Sequence, residues 1–156
     1  MNKCQLFFLL RLNEQDKVFW FFITLFFVEF TLAFWQDTKI LVNIFLKVHR
    51  KLGPGLLESV YEAAICYELD KLGIKYKRQA EIAVFYETIK LGLGFRADII
   101  VEEKVIVEIK SVETMSATFP KILLTYLRVA NLKLGLLVNF NVDLIKYGIK
   151  RIANNL

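Results

Sequence analysis

The stretch Phe95–Val112 reads FRADIIVEEKVIVEIKSV and decides the fold of the chain. Two runs rich in β-branched residues flank the charged tripeptide Glu102-Glu103-Lys104, a pattern that predicts an antiparallel β-hairpin. Side chains alternate between the two faces of a strand, so one face of this hairpin is entirely apolar. That face comprises Phe95, Ala97, Ile99, Val101, Val105, Val107 and Ile109. The hairpin is therefore expected to bury one face in a core.

The other face of the predicted hairpin carries Asp98, Glu108 and Lys110. If the turn is a three-residue loop, Asp98 lies directly opposite Glu108, and Lys110 lies one pleat further along. Facing carboxylates destabilise a sheet unless a divalent cation lies between them, and Mg²⁺ prefers such oxygen ligands. A neighbouring lysine can orient or deprotonate an attacking water, or stabilise phosphate charge. From the pattern alone, an ordinary hairpin with one solvated, charged face is the more common arrangement.

Two helices are predicted upstream of the hairpin. Residues 38–52 carry apolar side chains at helical spacing, and Gly53-Pro54-Gly55 ends this first helix. The second helix covers residues 56–72, with Glu58 in its first turn. The helix dipole favours a carboxylate at that position, so Glu58 either stabilises the helix or reaches the hairpin as a third carboxylate.

The remaining segments predict a mixed α/β domain with a central sheet. Residues 74–87 and 89–94 are typical of strands, residues 118–132 predict a helix with Pro120 in its first turn, and residues 135–140 (GLLVNF) predict a strand buried on both faces. A short last strand is expected over residues 146–152.

Two motifs give these elements a family resemblance. Asp98, separated by nine residues from Glu108-Ile109-Lys110, matches a D…ExK signature, and Gly55-Leu56-Leu57-Glu58-Ser59-Val60-Tyr61 matches a GxxExxY signature. Together with their surroundings they resemble the GxxExxY family of the PD-(D/E)XK nuclease superfamily, over residues 38–156. The resemblance implies a restriction-endonuclease-like core, with a mixed central β-sheet flanked by helices and the hairpin in its middle.

The resemblance also implies an activity and a site. It implies a nuclease that hydrolyses phosphodiester bonds with Mg²⁺ or Mn²⁺, which polarises the phosphate and acidifies the attacking water. Asp98, Glu108 and the Ile109 carbonyl would ligate the ion. Glu58 would bind it directly or through water, and Lys110 would position the water. DNA is the expected substrate by resemblance, although the residues themselves do not choose between DNA and RNA.

Three further residues are candidates for accessory roles: His49, Tyr61 and Tyr126. His49 lies at the end of the first predicted helix, where a cap or filler is the common role and a phosphate contact the alternative. Related nucleases often have Gln four residues before the tyrosine at Tyr126, whereas this chain has Ile122. This departure supports an alternative function: a catalytically weak or inactive module of the same fold that binds nucleic acid or a protein.

The charge of the chain is unevenly distributed. Residues 38–156 contain eighteen Lys and Arg against twelve Asp and Glu, a net of +6. This excess mildly favours a polyanionic partner such as nucleic acid. Lys75, Lys77, Arg78 and Lys90 form the densest basic cluster near the hairpin. They are interpreted either as phosphate contacts or as charges that guard an edge strand.

Residues 1–37 form an apolar extension of different composition. Nine of the fourteen Phe and both Trp precede Gln36, and Val18–Trp35 is apolar except for Thr24, Glu29 and Thr31. Eighteen helical residues span roughly 27 Å, near the minimum for a bilayer core. A carboxylate within them is unfavourable. Three interpretations remain: a membrane anchor, a helix docked on the domain or a partner, and translation upstream of the true start.

Cysteine usage indicates the compartment. Cys4 and Cys66 are the only cysteines, and they show neither metal-ligand spacing nor a disulfide framework. A reducing, cytoplasmic setting is the simplest expectation, with membrane association only through residues 18–35.

Overall fold

The computed structural model describes residues 38–92 and 94–155, so the predicted extension 1–37 and its apolar segment 18–35 lie outside the described residues. Within the described ranges, no helix is long and apolar enough to cross a membrane. The compact unit that carries the hairpin spans Asn43–Leu156.

Two helices are followed by five consecutive strands, and helices and strands alternate only after that, within the described residues. In chain order they are α1 (residues 38–52), α2 (Glu58–Lys71), β1 (Tyr76–Ile82), β2 (Phe85–Tyr86), β3 (Ile89–Lys90), β4 (Phe95–Val101), β5 (Val105–Lys110), α3 (Thr118–Val129), β6 (Leu134–Asn139), α4 (Ile145–Gly148) and β7 (Ile149–Ala153).

Five of the strands form one mixed sheet in the order β1-β4-β5-β6-β7. Strands β5 and β6 are parallel, and the other neighbours are antiparallel. Helices flank this sheet, and the β4–β5 hairpin lies at its centre. The predicted restriction-endonuclease-like α/β architecture is therefore confirmed.

The region before the hairpin differs from the prediction. Instead of strands over residues 74–87 and 89–94, β1 ends at Ile82, and the short strands β2 and β3 form a separate two-stranded sheet in the described part of the chain. A side chain at Gly94 would place its Cβ 2.6 Å from the Ile82 carbonyl oxygen. Glycine permits this close approach of the two backbones. The segment between Ile82 and Gly94 therefore forms a separate small hairpin of β2 and β3.

The central hairpin has the predicted three-residue loop. Its register pairs Ile99 with Val107 and Val101 with Val105. Glu102 and Glu103 in the loop both adopt positive φ, 50° and 54°. Continuing this register by one residue places Asp98 opposite Glu108.

The predicted alternation fails at the beginning of β4. Ala97 belongs to the apolar cluster of Ile106, and Phe95 packs against it. By the same alternation Ile106 belongs to the face of Glu108 and Lys110, so the structure groups Phe95 and Ala97 with a residue of the opposite predicted face. The physical reason is that regular β4–β5 pairing stops at Ile99, so the two strands no longer share one alternation before that residue.

Helix α3 covers the sheet through a close contact with β6. Leu123 and Leu127 of the helix are fully buried in the cluster of Ile106 and Leu137. A Cβ added to Gly135 of β6 would lie 2.8 Å from the Leu123 side chain, so glycine lets the helix approach. Pro120 occupies the first turn of α3, as predicted.

Tyr61 connects helix α2 to the turn that precedes it. Its hydroxyl donates to the Gly53 carbonyl at 2.7 Å and accepts the Leu56 N–H at 3.1 Å, while its ring stacks on Phe140 at 4.3 Å. Tyr61 is fully buried. These contacts hold the start of α2, and therefore Glu58, in place.

Removing the Tyr61 hydroxyl should weaken this connection. We expect Tyr61→Phe to lower the free energy of unfolding by about 1 kcal/mol, because two hydrogen bonds are lost while the stacked ring remains. Urea denaturation measures the difference. Tyr67→Phe is the control, since Tyr67 lies on the same helix but is 62% exposed. Equal effects of the two substitutions would contradict the proposed contribution of the Tyr61 hydroxyl.

Candidate active site

Lys110, at the end of β5, bonds to the two residues before it. Its ammonium donates to Glu108 Oε1 and to the Ile109 carbonyl oxygen, both at 2.8 Å. The side chains of Lys110 and Glu108 are only 16% and 12% exposed. The sequence predicted this group on one strand face, and the structure brings it together in a largely buried position.

Asp98 reaches the same place from β4. Its Oδ2 accepts the Ile109 N–H at 2.7 Å. Burial raises the pKa of Asp98, and the charges of Glu62 and Glu58 add to this, while the Ile109 N–H and Lys110 oppose it. Asp98 is therefore a carboxylate whose negative charge is incompletely compensated.

Glu108 has one oxygen without a protein partner. Within the described part of the chain, Glu108 Oε2 is buried and receives no hydrogen bond. Burial raises the pKa of Glu108, as does the charge of Asp98, whereas Lys110 lowers it. A buried polar atom without a partner is unfavourable, so this oxygen is suited to binding a cation.

The charge of Lys110 is stabilised by its neighbours. Burial alone lowers the pKa of Lys110, but its hydrogen bond to Glu108 and the charges of Glu108, Asp98 and Glu58 outweigh that effect and raise it. Lys110 is therefore an ammonium at neutral pH in this state and acts as a hydrogen-bond donor.

Glu58 joins the site from helix α2. Its Oε1 accepts the Ser111 N–H at 3.1 Å, and the Ser111 hydroxyl donates to the Leu56 carbonyl at 2.6 Å. The charge of Glu58 raises the pKa of both Asp98 and Glu108, so the three carboxylates are electrostatically coupled. The hydrogen bond between Glu58 and Ser111, which directly follows β5, supports the interpretation that Glu58 reaches the hairpin as a third carboxylate. A role confined to stabilising helix α2 would not require this bond.

An open cleft of about 620 Å³ lies beside Glu58. It is lined by Gly55, Leu56, Leu57, Glu58, Ser59, Ser111, Glu113 and Asn141. The cleft gives solvent and ligands access to Glu58 and to Ser111, which directly follows β5.

Asn139 supports the site and was not among the predicted residues. It is 1% exposed, its amide donates to the Val112 carbonyl at 2.8 Å, and its Oδ1 accepts the Val112 N–H at 3.1 Å. These bonds fix the chain directly after Lys110 and Ser111. An asparagine inside the apolar run GLLVNF was the available sequence signal.

The donor set fits a hard divalent cation. Within the described ranges, no three Asp, Glu, His or Cys side chains form a ready-made metal cluster. Asp98, Glu108 with its unpartnered Oε2, and the Ile109 carbonyl nevertheless supply oxygen ligands from two carboxylates and one peptide group. Mg²⁺ is commonly held by one or two carboxylates, with water and substrate phosphate completing the shell.

The two aromatic candidates besides Tyr61 differ in their positions. His49 is buried, and its Nε2 must carry the proton because it bonds the Val142 carbonyl at 2.7 Å. That bond attaches α1 to the loop after β6.

Tyr126 packs on Phe95, with the ring centroids 4.6 Å apart. Burial raises the pKa of Tyr126, and the negative charge of Glu108 raises it further. Tyr126 therefore lies within electrostatic reach of the carboxylates.

The predicted basic contacts lie on β1 and on the small hairpin. Lys77 pairs with Glu103 at 2.7 Å, and the Arg78 guanidinium donates to Glu62. Lys75 precedes β1, the edge strand of the sheet, and Lys90 is exposed on β3. The ion pairs of Lys77 and Arg78 favour the edge-strand interpretation for those two residues.

Comparison with known proteins places this geometry in a family. No curated protein and no solved structure matches the chain. A model of the PD-(D/E)XK nuclease superfamily matches residues 36–152, which include every candidate site residue named above. Since that match covers most of the sequence, the chain belongs to the PD-(D/E)XK nuclease superfamily.

Proposed function

We propose that the protein is a metal-dependent nuclease that hydrolyses phosphodiester bonds in nucleic acid, with DNA as the favoured substrate. The observation that carries this proposal is the meeting of Asp98 from β4 with Glu108 and Lys110 from β5, where the regular pairing of these two strands ends. Glu108 Oε2 is buried there and has no hydrogen-bond partner among the described residues. Membership of a nuclease superfamily supports it.

Asp98, Glu108 and the Ile109 carbonyl would hold Mg²⁺ or Mn²⁺, and Glu58 would bind it directly or through water. When bound, the ion polarises the scissile phosphate and lowers the pKa of the attacking water. Burial and mutual repulsion of the carboxylates favour a cation at this place, because each of them carries charge that the protein compensates only in part.

Lys110 has a separate role from the metal ligands. Its ammonium keeps Glu108 oriented through the bond to Oε1. As a protonated donor with several N–H groups, it can also orient the attacking water and stabilise negative charge on the phosphate. Ser111 and Asn139 hold the strand end that presents this side chain.

We assign the catalytic domain to residues 38–156, with 1–37 as an apolar extension, and the chain to the GxxExxY family within the superfamily. Glu58 of that motif contacts the end of β5, and Tyr61 of the motif fixes the turn before Glu58. Lys75 and Lys90 remain the proposed nucleic-acid contacts on the basic surface. A buried free thiol at Cys66 is compatible with the reducing, cytoplasmic setting proposed above.

A cleavage assay on the full-length chain tests the proposal. Supercoiled plasmid, single-stranded DNA and RNA are incubated with the protein in Mg²⁺, in Mn²⁺ and in EDTA. We expect metal-dependent nicking of DNA that EDTA prevents and that Asp98→Ala abolishes. Cleavage that persists in EDTA, or at the parent rate in Asp98→Ala, would refute the assignment.

A second function rests on Ile122. This side chain is 40% exposed on α3 at the position where related nucleases often carry glutamine. The alternative is a catalytically weak or inactive module that binds nucleic acid or a protein. Calorimetry distinguishes them: a Mn²⁺ site that disappears in Glu108→Gln counts against an inactive relic, and DNA binding without any Mn²⁺ site supports one.

A further inference from the structure

Glu62 is a buried carboxylate that the proposed mechanism does not use. It lies one turn after Glu58 on helix α2 and is only 5% exposed. Both of its oxygens are held by consecutive residues of β1: the Arg78 Nε–H donates to Oε1, and the Gln79 amide donates to Oε2 at 2.5 Å. Glu62 therefore attaches helix α2 to the middle of the edge strand, while the Tyr76 hydroxyl, which donates to Asp70 at 3.2 Å, attaches the helix to the start of that strand.

The β1 backbone is irregular where Glu62 holds it. Gln79 has φ of +48° in the middle of the strand, a conformation that residues other than glycine rarely adopt. Arg78 pairs with Ile99 and Ala80 pairs with Ala97, but the regular pairing between them skips Gln79 and Asp98. The irregularity thus lies directly opposite the candidate metal ligand.

The regular pairing of strand β4 with β5, its other neighbour, also stops next to Asp98. That pairing ends at Ile99 and Val107. Beyond that point the Asp98 side chain, instead of the β4 backbone, accepts the Ile109 N–H. Asp98 therefore lies at a position where β4 is released from regular pairing on both sides.

We propose that Glu62 is a positioning residue for Asp98. By holding the Arg78 and Gln79 side chains, Glu62 fixes the positive φ of Gln79, which interrupts the ladder at Asp98 and directs its carboxylate to Ile109. Glu58 and Glu62 then act as a pair: Glu58 fixes the end of β5 through Ser111, and Glu62 fixes β1. Strand β4, which carries Asp98, lies between those two strands.

The matched control is another buried carboxylate of the same helix. Glu68 is 7% exposed and pairs with Lys47 on α1. Replacing Glu68 should therefore destabilise the protein without displacing Asp98. If Glu62 had a purely structural role, replacing Glu62 and replacing Glu68 would have the same effect on the position of Asp98 and on cleavage.

The experiment follows the Ile109 amide in the metal-free, full-length protein by NMR hydrogen exchange. The hydrogen bond to Asp98 should slow this exchange, so the rate reports the position of Asp98. We expect Glu62→Ala to accelerate Ile109 exchange by about 10-fold or more relative to Val107 of the same strand, and Glu68→Ala to leave that ratio unchanged.

A second pair of variants separates backbone conformation from side-chain loss. Glycine adopts positive φ without strain, so Gln79→Gly should keep the Ile109 ratio near that of the parent, whereas Gln79→Ala should raise it. If Glu62→Ala fails to fold, this pair alone decides. An unchanged ratio in Gln79→Ala, or an equal rise in Gln79→Gly, overturns the proposal, as does an equal effect of Glu68→Ala.

The catalytic consequence rests on the proposed function and is measured separately. In the Mn²⁺-dependent assay, Glu62→Ala should lower kcat by about 10-fold with little change in KM for DNA, since outer partners of metal ligands typically contribute effects of that size. A parent protein that neither binds Mn²⁺ nor cleaves DNA would refute the proposed function, and the Ile109 exchange ratio would still decide the positioning role of Glu62.

Discussion

Replacing Lys110 by alanine is expected to lower the rate of metal-dependent DNA nicking by about 100-fold or more, the usual effect of removing one preorganised donor from a charged transition state. The ammonium orients Glu108 and the Ile109 carbonyl through two 2.8 Å hydrogen bonds. Its loss therefore removes both a donor to the reacting groups and the orientation of one candidate metal ligand. Initial nicking rates in saturating Mg²⁺ measure the effect.

Two further variants make the result specific to Lys110. Lys133→Ala should nick at the parent rate, because Lys133 precedes β6, at the opposite end of that strand from Asn139. Lys110→Arg should recover only a small part of the activity, since the planar guanidinium keeps the charge but not the compact geometry of the ammonium. A Lys110→Ala protein that retains more than about half of the parent rate would show that this lysine has no role in the chemistry.

The hairpin was predictable because its determinants are local. Alternating apolar side chains specify which face is buried, and a charged tripeptide between two β-branched runs specifies the turn. The register of Ile99 with Val107 follows from the loop length alone. The encounter of Asp98, Glu108 and Lys110 could therefore be anticipated from about twenty residues of sequence.

The break in β4 was not predictable by the same reasoning. It depends on Gln79 of the neighbouring strand, whose positive φ is held by a carboxylate from helix α2. Neither contact leaves a periodic signal in the sequence. For the same reason the pattern did not indicate that Phe95 and Ala97 would join the cluster of Ile106.

The residues that hold the site in place were also not predictable from the sequence pattern. Ser111 and Asn139 act through bonds between segments distant in the chain, as Asn139 does with Val112. Conversely, Tyr61 and His49 were singled out for accessory roles, and the structure places both in bonds to backbone groups of loops. The motifs therefore identified Tyr61 and His49 as important residues, but they did not distinguish a structural role from a role in catalysis.

Asp98→Asn is expected to abolish the stabilisation that millimolar Mn²⁺ gives the parent protein. An ion that binds only the folded state raises stability by mass action, and asparagine removes the charge of one of the proposed carboxylate ligands. Melting temperatures of both proteins with and without Mn²⁺ measure the effect. Asp143→Asn is the control, because Asp143 is exposed in the loop after β6 and should leave the response to Mn²⁺ intact.

Without metal, the same substitution should instead stabilise the domain, because it removes a carboxylate whose pKa burial raises. Burial raises the pKa of Asp98 above its ordinary value, so ionising this group is less favourable in the folded protein than in the unfolded chain. The metal-free parent therefore loses stability as pH rises from the ordinary aspartate pKa through the raised one, whereas the asparagine variant lacks this contribution from residue 98. The amide oxygen of the introduced asparagine would still accept the Ile109 N–H. A variant that is markedly less stable than the parent at neutral pH without metal would show that the Asp98 carboxylate is a structural acceptor, and the hairpin would then be an ordinary charged one.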